Sequence, residues 1–113
     1  MSARNPLLAA PPYPVEQALT KLGANLRTAR LRRNLTIRDV AEKIGSGPRA
    51  VADAEKGKAS TGIAVYVALL WVFDLLGPLA DVADPSKDQE GQILSLAGDR
   101  LRARNTAELD NDF

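Results

Sequence analysis

Cysteine and histidine are both missing from this 113-residue chain. Their absence excludes a disulfide framework and the usual zinc sites, and it removes the commonest general base. Aromatic residues are scarce, with one Trp, two Tyr and two Phe. Ala and Leu dominate the apolar set, which favours short packed helices over a β-sandwich. No basic segment runs into an apolar one at the start, so no secretory signal is visible and the expected compartment is the cytoplasm. The longest apolar run, Ile63 to Phe73, is cut off by Asp74, Gly77, Pro78 and Asp81. It stops well short of the roughly 20 residues that a bilayer requires, so no membrane association is expected.

The net charge of +1 hides a segregation. From Lys21 to Lys58, ten basic residues stand against four acidic ones. From Ala59 to Asp99, one basic residue stands against six acidic ones. A basic half joined to an acidic half suggests one face for a polyanion and another for a different partner. Asp81, Asp84, Asp88 and Glu90 cluster in sequence, but their spacing fits no EF-hand loop, and caps or solvated charges explain them. No nucleophile–base pair and no phosphate-cradling glycine-rich loop is present. The reading is therefore no enzyme, no catalytic residue, no metal site and no cofactor.

Residues 1–14 hold Pro6, Pro11, Pro12 and Pro14 and read as a flexible or extended arm. Val15, Leu19, Leu22, Leu26 and Ala29 then recur at intervals of four and three, one stripe of a helix running to about Arg33. Asn34 lets the chain turn. Thr36 is placed to cap a second helix, with Ile37, Val40, Ala41 and Ile44 on its inner face. Gly45 ends that helix where positive φ is needed, and Pro48 suits the first turn of a third, running to about Lys56. In it Val51 and Ala54 face inward, whereas Arg49, Ala52, Asp53 and Lys56 face out.

Ser60 or Thr61 is expected to cap a fourth helix, apolar all round from Ile63 to Phe73 and so buried on more than one side. Leu75 to Val82 reads as a fifth short helix, and Asp84-Pro85 opens a linker. Gln92 to Arg104 suits a helix or a short strand, and the tail from Asn105 reads as disordered. The expected architecture is all-α: five helices over 15–83, an N-terminal arm over 1–14, and a linker and tail over 84–113 that binds a partner or stays disordered. Thr36 to Gly57 carries the function, as two short helices joined by a glycine turn in a basic region.

Leu22-Gly23, Leu26-Arg27, Arg30, Leu35-Thr36, Val40-Ala41, Gly45 and Glu55-Lys56-Gly57 follow one another without a gap. From Leu22 to Leu76 the chain resembles the Xre/Cro-repressor family of helix-turn-helix proteins. Its "ARLRR", "EKG" and "ALLWVFDLLGPLADVADPSKDQEG" segments resemble the HipB-like antitoxins that accompany HipA-type kinase toxins. The resemblance implies a repressor that binds a double-stranded DNA operator as a homodimer, and an antitoxin that also holds a HipA-like kinase.

It places the helix from Pro48 in the major groove with Gly47, Arg49, Ala50 and Asp53 toward base edges. Arg49 either bonds guanine O6 and N7 or pairs with Asp53 four residues on. Asp53 either accepts from a cytosine amino group or repels phosphate. Thr36, Arg27, Arg38, Lys56, Lys58, Ser60 and Thr61 are the expected phosphate contacts. Two-fold pairing would use Tyr66, Leu69, Leu70, Phe73 and Leu76, whose alternative is plain core, while Trp71 is expected in the core. The rival readings are a stand-alone repressor and a toxin-binding module with weak DNA binding.

Overall fold

A computed structural model of the chain describes residues 5–111, and among these every regular element is helical. The elements are α1 (Pro6–Ala9), α2 (Tyr13–Arg32), α3 (Ile37–Ile44), α4 (Pro48–Glu55), α5 (Ile63–Val72) and α6 (Gln89–Asn111). Two short 3-10 turns, Gly77–Asp81 and Pro85–Lys87, lie between α5 and α6. The chain divides into two compact units after Leu76.

The first unit owes its core to the stripe anticipated on α2. Leu26 and Ala29 meet Val40 and Ala41 of α3, Val51 and Ala54 of α4, and Tyr66, Leu69 and Phe73 around α5 in one buried cluster. Leu19, Leu22, Leu35, Ile37 and Ile44 close its rim. Val15, the first residue of the expected stripe, is exposed, because α2 begins two residues earlier and its first turns overshoot the core.

Two glycines set how closely α2 and α4 approach. A Cβ on Gly23 would lie 2.5 Å from the Ala54 carbonyl oxygen and 2.7 Å from the Gly57 nitrogen. A Cβ on Gly57 would lie 2.4 Å from the Leu19 carbonyl oxygen, and Gly57 also holds φ at +71°. The backbones of α2 and of the α4 C-terminus therefore touch, and no side chain fits between them.

The caps follow from local sequence. Thr36 Oγ1 accepts from the Asp39 N–H at 3.0 Å, and Asp39 Oδ2 accepts from the Thr36 N–H at 3.0 Å, a complete capping box. Gly45 ends α3 in the left-handed region (φ 71°), and Asn34 makes the turn before it at φ 53°. Pro48 opens α4.

Several expectations need correction. Residues 6–9, within the arm expected to be flexible or extended, form a helical turn capped by Asn5; residues 1–4 of that arm lie outside the described residues. Gly62, not Ser60 or Thr61, occupies the cap position of α5, and no side chain bonds there. Trp71 is 62% exposed, whereas Tyr66, Leu69 and Phe73, expected at a dimer interface, are almost wholly buried. In a run apolar on every side, periodicity cannot say which face turns inward. Leu70 and Leu76 are half-buried.

The unit from Gly77 onward has no buried residue among those described. Its fifth short helix is a 3-10 turn, Gly77–Asp81. The strand alternative for Gln92–Arg104 gives way to α6, which continues through Asn105, expected to open a disordered tail, as far as Asn111. Two of its acidic residues serve turns: Asp84 accepts from the Ser86 N–H at 2.9 Å, and Asp88 from the Gly91 N–H at 3.0 Å.

Gly23→Ala is expected to destabilise the first unit by about 1–3 kcal/mol, since its methyl meets backbone that cannot yield locally. Urea unfolding followed by circular dichroism measures it, and an unchanged midpoint would refute the close approach. The Thr36 backbone N–H, and then the Thr36 side chain, hold the Asp39 carboxyl below its ordinary range. A lowered folded-state pKa stabilises above the unfolded value of about 3.9, and that stabilisation is lost as pH falls through the folded value. The stability gap between wild type and Asp39→Asn should therefore hold steady near neutrality and close in acid below about pH 4.

Candidate nucleic-acid interface

An arginine in the apolar stripe of α2 organises the site. Arg30 lies one turn after Leu26 on the same face, and it is 8% exposed. Its Nε donates to Glu55 Oε2 at 2.6 Å and its second amino group to Oε1 at 3.0 Å. The remaining amino group donates to the Leu35 carbonyl at 2.9 Å. One guanidinium thus ties the end of α2, the loop before α3 and the last residue of α4. The hydrogen bonds that Arg30 donates to Glu55 raise its pKa above the ordinary value despite burial, so the guanidinium stays charged.

Arg33 does a similar task toward α5. It donates to the Ala29 carbonyl at 2.8 Å and to the Phe73 carbonyl at 2.9 Å, and its guanidinium lies 5.4 Å from the Phe73 ring centre. In the sequence Arg30 stands out only as part of the repressor-like motif and Arg33 only as the end of a helix. The missed signal was spacing, since Arg30 and Arg33 follow Leu26 at four and seven residues.

These ties fix α4 with one side sealed and one side open. Val51 and Ala54 are fully buried, while Gly47, Pro48 and Arg49 are exposed at its start. Ala50, Ala52 and Asp53 are half-buried. Of the four expected base-reading positions, Gly47 and Arg49 are thus the open ones, and only Arg49 and Asp53 carry functional side-chain atoms. The alternative partner for Arg49 is absent: among the described residues Asp53 pairs with Lys58 Nζ at 3.1 Å, and Arg49 forms no ion pair.

The expected phosphate contacts fall on three stretches of the first unit. Arg27 lies exposed on α2, and Thr36 and Arg38 are exposed at the start of α3. Lys56, Lys58 and Ser60 are exposed after α4, with Thr61 half-buried. That loop is held by its backbone: the Lys58 N–H donates to the Asp53 carbonyl at 3.1 Å, and the Tyr66 hydroxyl donates to the Lys58 carbonyl at 2.7 Å. Burial, more than the opposing Thr61 hydrogen bond, raises the Tyr66 pKa, so the hydroxyl remains a donor at neutral pH. At the α3 N-terminus the Asp39 carboxylate already occupies the cap, so Thr36 offers an incoming phosphate less than an open helix end would.

No group of His, Cys, Asp or Glu side chains that could hold a metal ion is found among the described residues. None of the described helices is long and apolar enough to cross a membrane.

Residues 26–75 match the family model described as helix-turn-helix, of the Xre type, a little under half of the chain. The matched segment spans α3, the Gly45 turn and α4, together with their supports. It supports a DNA-binding transcription regulator. No curated protein and no solved structure matches the chain.

Glu55→Gln removes one charge and leaves Arg30 buried without its counter-ion. The expected loss is about 2–5 kcal/mol, because the cost lies in the stranded charge. A melting temperature within error of wild type would show that the pair does not hold α4 in place.

Proposed function

We propose that this helix-turn-helix domain is a transcriptional repressor that binds a double-stranded DNA operator as a homodimer in the cytoplasm. The observation that carries the reading is α4. Its inner residues are sealed in the core, its buried Glu55 is clamped by Arg30, and its first turn presents Gly47, Pro48 and Arg49 to solvent. A short rigid helix with an open N-terminal end on a basic scaffold suits insertion into a major groove. Arg49 is the base-reading residue, through guanine O6 and N7. The backbone of Gly47 and the small Ala50 let the helix approach closely. Arg27, Arg38, Lys56, Ser60 and Thr61 grip phosphates, and Thr36 contributes its hydroxyl.

The dimer uses the outer face of α5. Ile63, Val67, Trp71 and Leu75 recur every four residues, and Ile63 and Trp71 are more than half exposed. This face takes the role expected of Tyr66, Leu69 and Phe73, which the core has claimed. A two-fold pair doubles the phosphate contacts and sets the half-site spacing.

The antitoxin role belongs to the same proposal. Ile93, Leu94, Leu96 and Leu101 of α6 are each more than half exposed in a unit with no buried residue. Such a helix suits a protein partner, here a HipA-like kinase toxin, and the acidic excess from Ala59 to Asp99 suits a basic one.

Fluorescence anisotropy with DNA from upstream of the chain's own gene tests the reading. Binding should weaken steeply with salt, and Lys56→Ala should lower the log–log slope by about one unit. Arg49→Ala should cost about 1–3 kcal/mol on the operator and much less on unrelated DNA. Equal loss on both would make Arg49 a phosphate contact. Trp71→Glu should sediment as a folded monomer with the slope roughly halved, and a wild type already monomeric at micromolar concentration would exclude the dimer.

A further inference from the structure

The pairing of Asp53 with Lys58 joins two residues that DNA binding would set at odds. Asp53 is on α4 one turn beyond Arg49, and its carboxylate oxygen lies 3.1 Å from Lys58 Nζ. The Lys58 side chain is 44% exposed and that of Asp53 24%, so the lysine is the more exposed member of the pair. The loop beneath is anchored at both ends of the Lys58 residue, by its N–H on the Asp53 carbonyl and by the Tyr66 hydroxyl on its own carbonyl. Lys58 can therefore exchange partners only by swinging its side chain.

A carboxylate beside an ammonium at a phosphate-binding surface is an internal substitute for phosphate. While Lys58 is paired with Asp53 it neutralises no DNA charge and releases no counter-ion from the duplex. If Lys58 left for a phosphate, Asp53 would be stripped of its counter-charge close to the DNA backbone. We propose that Asp53 acts as a resident counter-anion for Lys58, restraining phosphate binding on every sequence and leaving discrimination to the rest of α4. The proposal rests on the DNA-binding reading of α4. It resolves the choice between cytosine recognition and phosphate repulsion at Asp53 in favour of neither: the carboxylate is spent on Lys58.

The test is a double-mutant cycle with the full chain, using poly(dA-dT) and poly(dG-dC) duplexes, which need no knowledge of an operator. Asp53→Asn keeps the side chain's shape and removes its charge, and circular dichroism checks that the helices remain. Asp53→Asn should bind both duplexes more tightly and steepen the salt slope by about one unit, as Lys58 joins the phosphate contacts. Lys58→Met alone should weaken binding with little change in slope, whereas Lys58→Met added to Asp53→Asn should remove the extra unit. A merely structural role for the pair would lower thermal stability and leave the slope unmoved, which overturns the proposal. Loss of affinity in Asp53→Asn confined to poly(dG-dC) would mark Asp53 as a cytosine reader and also overturn it. A wild-type chain that binds neither duplex at low salt refutes the DNA-binding reading, and the proposal with it.

Discussion

The bidentate bond between Arg30 and Glu55 is the constraint on which the first unit depends. Burying either ion alone would cost several kcal/mol, so each is tolerable only with the other in place. Arg30 is anchored in the stripe of α2, and Glu55 is the last residue of α4. Satisfying both charges fixes the far end of α4 relative to α2, and the third guanidinium contact, to Leu35, fixes the entry to α3. The glycines at 23 and 57 allow the backbones to come close enough for that bond to form. Charge and sterics thus specify one arrangement, in which α4 has a sealed side, a clamped end and an open beginning.

The surface that results is sparse in side-chain chemistry. Two alanines and a proline follow or precede Arg49 on the first turns of α4, and the one acid there is paired with lysine. Such a helix has few groups for hydrogen-bonding base edges and many neighbours suited to phosphate. On the proposed function, its affinity for DNA is then expected to be largely electrostatic and salt-sensitive, with little direct base readout.

Much of this was legible in the residues because the signals were local. Thr36, Asn34, Gly45 and Pro48 act within a turn or two of themselves, and each of the breaks between α2, α3 and α4 came where its residue type required it. The apolar spacing of Leu22, Leu26, Val40, Ala41, Val51 and Ala54 likewise named the inner faces. What failed was long-range or degenerate. The partner of Arg30 is 25 residues away, so no local signal marks the residue as half of a buried pair. In α5 every position is apolar, and only packing against α3 and α4 decides that Tyr66 and Phe73 turn in while Trp71 turns out. Beyond Leu76, α6 meets the short Pro85–Lys87 turn of its own unit but buries no residue among those described, and its length past Arg104 left no strong mark.

The central claim is that the opening turn of α4, and not another surface, meets DNA. Amide chemical-shift mapping by two-dimensional NMR on addition of duplex tests it directly. The account expects the largest changes at Gly47 to Asp53, with smaller ones at Arg38 and at Lys56 to Thr61. Changes concentrated on α6, with the amides of α4 unmoved, would contradict it.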